Sequence, residues 1–185
     1  ALDMKARGRL KNNTVVGTIM TNLGFIRFCE ANDIRFAATK VGDRYVLEEM
    51  LLEDYAFGGE QSGHIIFKDF ATTGDGQLSA VQLLAHIHRS GKKLAELKTV
   101  MTKYPQLIVN IRTTDAAKLA FYTDDDVRAI LDEGKEKLGS HGRLVVRPSG
   151  TEPLIRIMAE GEDEAFTEAI AKQVAERIEE KLKVY

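Results

Sequence analysis

The sequence predicts an α/β protein in two parts: a three-layer domain with a mixed sheet over residues 1–103, then a smaller α+β domain over residues 104–185. Three observations carry this reading. Through the first hundred residues, short strand-like runs alternate with amphipathic stretches, the pattern of a sheet covered by helices. That pattern breaks at Thr102, Lys103, Tyr104 and Pro105, because proline has no N–H and disfavours helix at the residue before it. Beyond the break the rhythm changes to strand, helix, hairpin and one long terminal helix.

In the first part the spacing predicts strands at 15–20, 35–39, 56–59 and 64–67, and helices at 22–32, 43–53 and 76–89. Tyr45, Leu47, Met50 and Leu51 are expected on one broad helical face, and Asp75 is expected to cap the helix that follows it. In the second part Leu107, Val109 and Ile111 alternate with polar or outward positions as in a strand. Thr123 followed by Asp126 reads as a capping-box-like start to a helix that stops at Gly139. Strands at 143–147 and 154–159 flank a loop, and Phe166, Ile170, Val174, Ile178 and Leu182 form a stripe for packing on the sheet.

Twenty-six basic side chains against 28 acidic ones leave a net charge of -2, which gives no global electrostatic case for nucleic acid or an anionic membrane surface. Any anion site must be local. Cys29 is the single cysteine, so no intramolecular disulfide exists, and its helical setting predicts a buried, inert thiol. No apolar run is long enough to cross a bilayer and the first ten residues are too charged for a signal peptide, so a soluble, cytoplasmic protein is expected. Ala1 falls on what reads as the middle of a helix, which predicts a fragment of a longer chain.

Two loops carry candidate chemistry. Residues 147–153 offer Arg147, the hydroxyls of Ser149 and Thr151, and the bare backbone of Gly150, with Arg156 on the outgoing strand. Forked cations, hydroxyl donors and a glycine backbone are the parts of a phosphate cradle. The bland alternative is a polar hairpin turn with surface arginines. Arg156 argues against it, since a guanidinium beside Leu154 and Met158 needs an anionic partner. Lys92 and Lys93 are an exposed pair with no converging donors, so the loop and not that pair is expected to hold phosphate.

In the second loop, residues 58–64, glycines on both sides let Glu60, Ser62 and His64 project together as acceptor, donor and titratable group. That set suits sugar hydroxyls, with His64 able to donate to phosphate or move a proton. Asp43 and Arg44, just after Gly42, read either as substrate contacts or as a plain helix start. Asp124, Asp125 and Asp126 read as acid at a helix N-terminus, and His86, His88 and His141 as surface histidines without the spacing of a metal pair.

GEQSGH and RPSGTEP, in that order, resemble the sugar-recognition and phosphate-binding loops of the α-D-phosphohexomutase superfamily. KVGDRYV, TTGDG and RPSGTEPLIRIMAEGED extend the resemblance over essentially the whole chain. The resemblance implies the tail of the second domain, the third domain and a TATA-binding-protein-like fourth domain of a four-domain bacterial enzyme. In that family a first-domain phosphoserine transfers the phosphoryl group through a bisphosphorylated sugar, which also serves as activator, and second-domain aspartates hold magnesium. Neither a TASHNP-like serine loop nor a DGDGDR-like run occurs here, so no catalytic or metal residue is expected in this chain and the isolated chain should be inactive. The implied partner is a phosphorylated hexosamine, and the implied complete enzyme is a homodimer. Glu60, Ser62, His64, Asp43 and Arg44 would contact the sugar; Arg147, Ser149, Gly150, Thr151 and Arg156 would hold the phosphate that is not transferred. A stand-alone phosphosugar-binding module, or a mutase acting on mannose or glucose phosphate, is the alternative.

Overall fold

The computed structural model describes all 185 residues, which divide into two compact units, Ala1–Lys103 and Tyr104–Tyr185. The first unit runs α1 (Leu2–Ala6), β1 (Thr14–Thr18), α2 (Leu23–Ala31), β2 (Arg35–Thr39), α3 (Asp43–Leu52), β3 (Phe57–Gly59), β4 (Ile65–Phe67), α4 (Gly76–Ser90) and the short α5 (Leu94–Leu97). Its sheet has the order β2-β1-β3-β4, with β1 parallel to both β2 and β3, and β4 antiparallel to β3. Every residue of β1 is buried, as a central strand covered on both faces requires. Val15 packs with Met4, Leu10, Cys29, Ile34 and Ala56 on one side, while Val16 packs with Val46, Met50, Tyr55 and Ile66 on the other. Burial pushes the Cys29 thiol up to about 11, which keeps it protonated and inert.

The α3 face differs from the one the spacing predicts. Val46 and Met50, four apart, are fully buried, whereas Tyr45 is 40% and Leu51 55% exposed. The stripe is narrower, and the two expected residues flank it on the solvent side. The carboxyl ends of β1, β2 and β3 are Thr18, Thr39 and Gly59, and the chain crosses from one side of β1 to the other between β2 and β3. This is the switch point at which open α/β sheets present their ligand loops. Residues 19–22, 40–42 and 60–64 leave the sheet there.

Asp3 ties α1 to α4. Its carboxylate meets Arg89 at 2.8 Å and His86 Nδ1 at 3.2 Å, and pairs with Arg7 one turn on. His86 therefore lies half-buried against Asp3 and is not the surface group expected; His88, two residues on, is exposed. Burial raises the Asp3 pKa, but hydrogen bonds from Arg89 and His86 and the Arg7 charge outweigh it and hold the group at about 2. A folded pKa below the ordinary 3.8 gives stability that is complete above about pH 4 and is lost as pH falls through 2. Asp3→Asn is expected to destabilise the first unit by about 1–2 kcal/mol at neutral pH. Denaturation of the two proteins should converge near pH 2, and a constant difference from pH 7 to 2 would contradict the linkage.

The second unit contains β5 (Gln106–Arg112), α6 (Asp115–Thr123), α7 (Asp125–Leu138), β6 (Gly142–Pro148), β7 (Leu154–Gly161) and α8 (Glu164–Leu182). Its sheet is antiparallel in the order β5-β7-β6. Ile155, Ile157 and Ala159 face Val127, Ile130, Ile170, Val174 and Ile178 from the helices. Two expectations fail here, the Thr123 cap and the place of Phe166 in the stripe, and helix α6 has no counterpart in the sequence pattern. Helix α6 begins at the Thr114 cap, whose hydroxyl accepts the Ala117 N–H at 3.1 Å, immediately after β5. Helix α7 is capped by Asp124, which accepts the Asp126 and Val127 N–H groups; the Thr123 hydroxyl donates to Ala120 within the preceding helix. Phe166 is 47% exposed and stands outside the core, which α8 enters at Thr167 and Ile170.

Candidate functional site

In the first unit the loop leaving β3 is closed by its own backbone: the Glu60 N–H donates to the His64 carbonyl at 2.8 Å and the Gly63 N–H to the Glu60 carbonyl at 3.0 Å. The Glu60 carboxylate accepts the Gly42 N–H at 2.9 Å, so the β3 loop is tied to the loop that leaves β2. Asp43, next to Gly42, lies 3.5 Å from His64 Nε2. The structure thus brings Glu60, His64 and Asp43 together. Ser62 is exposed at the loop tip. Arg44 is turned to Glu48 one helical turn on, at 2.7 Å, and is not drawn into this group.

A cavity of about 310 Å³ lies beside this loop, with Val16, Phe25, Phe57, Ile65 and Met101 in its walls. Those walls are apolar, and Glu60 of the loop is the charged group at their edge. Two backbone groups absent from the sequence reading complete the arrangement: Gly42 N–H on Glu60, and Gly74 N–H on His64 Nε2 at 3.0 Å. Asp75 caps α4, as its position predicts, accepting the Leu78 N–H at 2.9 Å.

In the second unit the hairpin between β6 and β7 holds the other loop. Ser149 is buried; its N–H donates to the Leu154 carbonyl at 2.9 Å and its hydroxyl accepts the Glu152 N–H at 3.1 Å. The loop is therefore pinned from inside, while Gly150 and Thr151 are exposed at its turn. A Cβ on Gly150 would meet no protein atom within 4 Å. Nothing in the fold itself demands glycine at that point.

Arg147 and Arg156 stand directly opposite one another on β6 and β7, with Asn110 of β5 opposite Arg156 on the far side. Like charges in that register repel. Arg156 is compensated: its Nε donates to Asn110 at 3.1 Å and its guanidinium pairs with Glu152 at 3.1 Å. Arg147 is not, and its buried Nε has no hydrogen-bond partner. A buried guanidinium N–H without an acceptor is costly, and an anion beside the hairpin would relieve both the cost and the repulsion. Next along the same face Arg143 pairs with the fully buried Glu160, which also accepts from Gln106 at 3.0 Å.

No three or more His, Cys, Asp or Glu side chains come together in a way that could hold a metal ion. The Asp124, Asp125 and Asp126 run serves the start of α7.

Sheet order, crossover and loop placement define an α/β protein with its candidate loops at the strand carboxyl ends, joined to a smaller unit built of a three-stranded sheet and helices. The chain belongs to the phosphoglucomutase/phosphomannomutase family: residues 1–104 match its alpha/beta/alpha domain III and residues 108–177 its C-terminal domain. It is 49% identical over 182 residues to the phosphoglucosamine mutase of Caldanaerobacter subterraneus subsp. tengcongensis, covering 98% of this chain and 41% of that protein. The phosphoglucosamine mutase of Brevibacillus brevis is 50% identical over 179 residues, covering 97% of this chain and 40% of that one. The chain thus spans about two fifths of the length of these relatives. Among solved structures, the Aspergillus fumigatus N-acetylphosphoglucosamine mutase in complex with GlcNAc-6P and magnesium superposes with a TM-score of 0.72 at 18% identity, over 89% of this chain and 41% of that one.

Proposed function

We propose that this chain is the substrate-holding C-terminal part of a phosphoglucosamine mutase, which interconverts glucosamine 6-phosphate and glucosamine 1-phosphate through a phosphoserine and a bisphosphorylated sugar. The identity to curated phosphoglucosamine mutases along nearly the whole chain supports this sugar over mannose or glucose. One observation carries the phosphate half of the reading: Arg147 holds a buried, unpartnered Nε beside a pinned hairpin whose Gly150 faces open space. Arg147, Ser149, Gly150, Thr151 and Arg156 would grip the phosphate that does not react, and Glu60, Ser62, His64 and Asp43 would read the sugar. Arg44 would join them by releasing Glu48.

Binding at groups remote from the reacting centre supplies positioning, which is where such a segment contributes to rate. The nucleophile and the magnesium ligands lie outside this chain in this reading, and the complete enzyme would be a homodimer. Magnesium is supported by the metal in the Aspergillus fumigatus structure, and a bisphosphorylated sugar activator follows from the same reaction. No helix is long and apolar enough to cross a membrane, in keeping with a cytoplasmic enzyme.

The test is an NMR titration of the chain with glucosamine 6-phosphate, with glucosamine and inorganic phosphate as separate arms. Amides of Arg147, Ser149, Gly150 and Thr151 should respond to the phosphorylated ligands and those of residues 60–64 to the sugar. Silence at 147–151 would sink the reading. Gly150→Ala is expected to leave stability within about 0.5 kcal/mol, because the methyl meets open space, yet to weaken phosphate binding by crowding the ligand. Loss of stability without loss of binding would reverse that assignment.

A further inference from the structure

The face of the second unit's sheet that points away from its helices carries one arginine that nothing in the fold employs. Across β5 and β7, Gln106 bonds Glu160 and Asn110 bonds Arg156, so the even-numbered residues of the two strands share that face. Arg112 is the next even residue of β5 and stands directly opposite Leu154. It is exposed, and its side chain makes no hydrogen bond or ion pair. Asp115, the nearest acid along the chain, is turned to Lys118 at 3.5 Å.

The carboxylate that Arg112 can reach is that of Glu152. It runs along the same face to meet Arg156 Nη2 at 3.1 Å and so passes Leu154, the residue that Arg112 faces. The Thr113 N–H donates to the Pro153 carbonyl at 3.0 Å, which fastens the hairpin to the end of β5 at this point. Arg112 and Arg156 are thus diagonal neighbours on either side of one carboxylate, a spacing that long side chains span. In this arrangement Arg156 holds the carboxylate and Arg112 has none. A phosphate arriving at Arg147 and Arg156 would bring negative charge beside Glu152 and repel it from the guanidinium it holds. Arg112 offers that carboxylate a second partner of equal charge with no movement of the backbone. Asn110 keeps its bond to Arg156 Nε meanwhile, because a neutral oxygen orients the guanidinium without cancelling its charge.

We propose that Arg112 is a positioning residue that takes the Glu152 carboxylate from Arg156 when phosphate binds, so that Arg156 turns its full charge to the ligand. The exchange rests on the phosphate reading given above and adds to it a residue that lies outside the hairpin and its two strands.

Calorimetric titration of the full chain with glucosamine 6-phosphate in matched salt tests it through Arg112→Ala, Glu152→Gln and the two combined. Arg112→Ala should weaken binding about two- to fivefold, the contribution of one exposed ion pair. In the Glu152→Gln background the same change should have no effect, because no carboxylate is left to receive. An equal loss in both backgrounds would overturn the proposal by placing Arg112 on the phosphate itself, and no loss in either would overturn it outright. Arg112→Lys should keep most of the affinity, since receiving a carboxylate needs a charge and not a planar fork; a lysine as weak as the alanine would overturn the exchange. Arg112→Ala should leave the melting temperature unchanged, the side chain having no partner to lose, and a lowered one would overturn the assignment by making Arg112 a structural residue. Failure of the two changes to couple, while the amides of Arg147, Ser149, Gly150 and Thr151 still respond to the ligand, would remove the exchange alone; silence at those amides would remove the phosphate reading with it.

Discussion

Arg147→Ala should weaken the binding of glucosamine 6-phosphate by about ten- to a hundredfold, the loss of one charge-assisted contact of roughly 1.5–3 kcal/mol. Arg156→Ala should cost less, although the sequence ranks the two arginines together. Arg156 is already satisfied by Glu152 and Asn110, so whatever it gives a phosphate is offset by what it gives up. Arg147 has a buried donor in want of an acceptor and gives up nothing comparable. The Lys92 and Lys93 double alanine change should do almost nothing, because both are exposed and their attraction for phosphate is screened by salt. Calorimetric titration of the variants in matched salt, after a check that each is folded, decides the matter. Equal losses for all three would dismantle the cradle.

Glu152 gives the same loop a second property. Its carboxylate holds Arg156 from within the hairpin, so it competes with any anion for that guanidinium. The exposed position of Glu152, at 54%, keeps this competition mild.

How far the sequence could be read depended on whether a signal was local. The strands of both units were legible because period-two alternation and flanking glycines act over a few residues, and the helix that Asp75 caps was legible for the same reason. The two candidate loops stood out because several chemistry-bearing side chains crowd into each. Helix α6 was not legible: it begins three residues after β5, and its cap, Thr114, follows another threonine in a run that reads equally well as the end of the strand. The α3 face was misjudged because aromatic and leucine residues at its flanks outweigh the smaller Val46, which burial favours at the centre. The Gly42 bond to Glu60 spans 18 residues and the Gly74 bond to His64 spans ten, and both are made by backbone N–H groups that every residue but proline carries. No side-chain pattern announces such a contact. The same limit hid the partner of Glu160, which reads in the sequence as one acid in an acidic stretch and in the fold is a fully buried carboxylate.

That carboxylate sets the largest stability effect expected in the second unit. Glu160 lies near the carboxyl end of β7 with no exposed surface, opposite Arg143 on β6 and Gln106 on β5, and both partners bond it. The arginine removes most of the penalty of keeping a charge out of water. Arg143→Ala takes away that compensation while the carboxylate stays buried, and is expected to destabilise the unit by about 3–5 kcal/mol. Replacing both members with apolar residues, Arg143→Met with Glu160→Leu, should recover most of the loss, because no charge is then left to desolvate. Hydrogen exchange of the β7 amides in the full chain reads this unit separately from the first. If the single and double variants open β7 to the same extent, the effect lies in lost packing by the Arg143 stem; if Arg143→Ala opens it hardly at all, water reaches Glu160 and the pair is not the electrostatic anchor of the sheet.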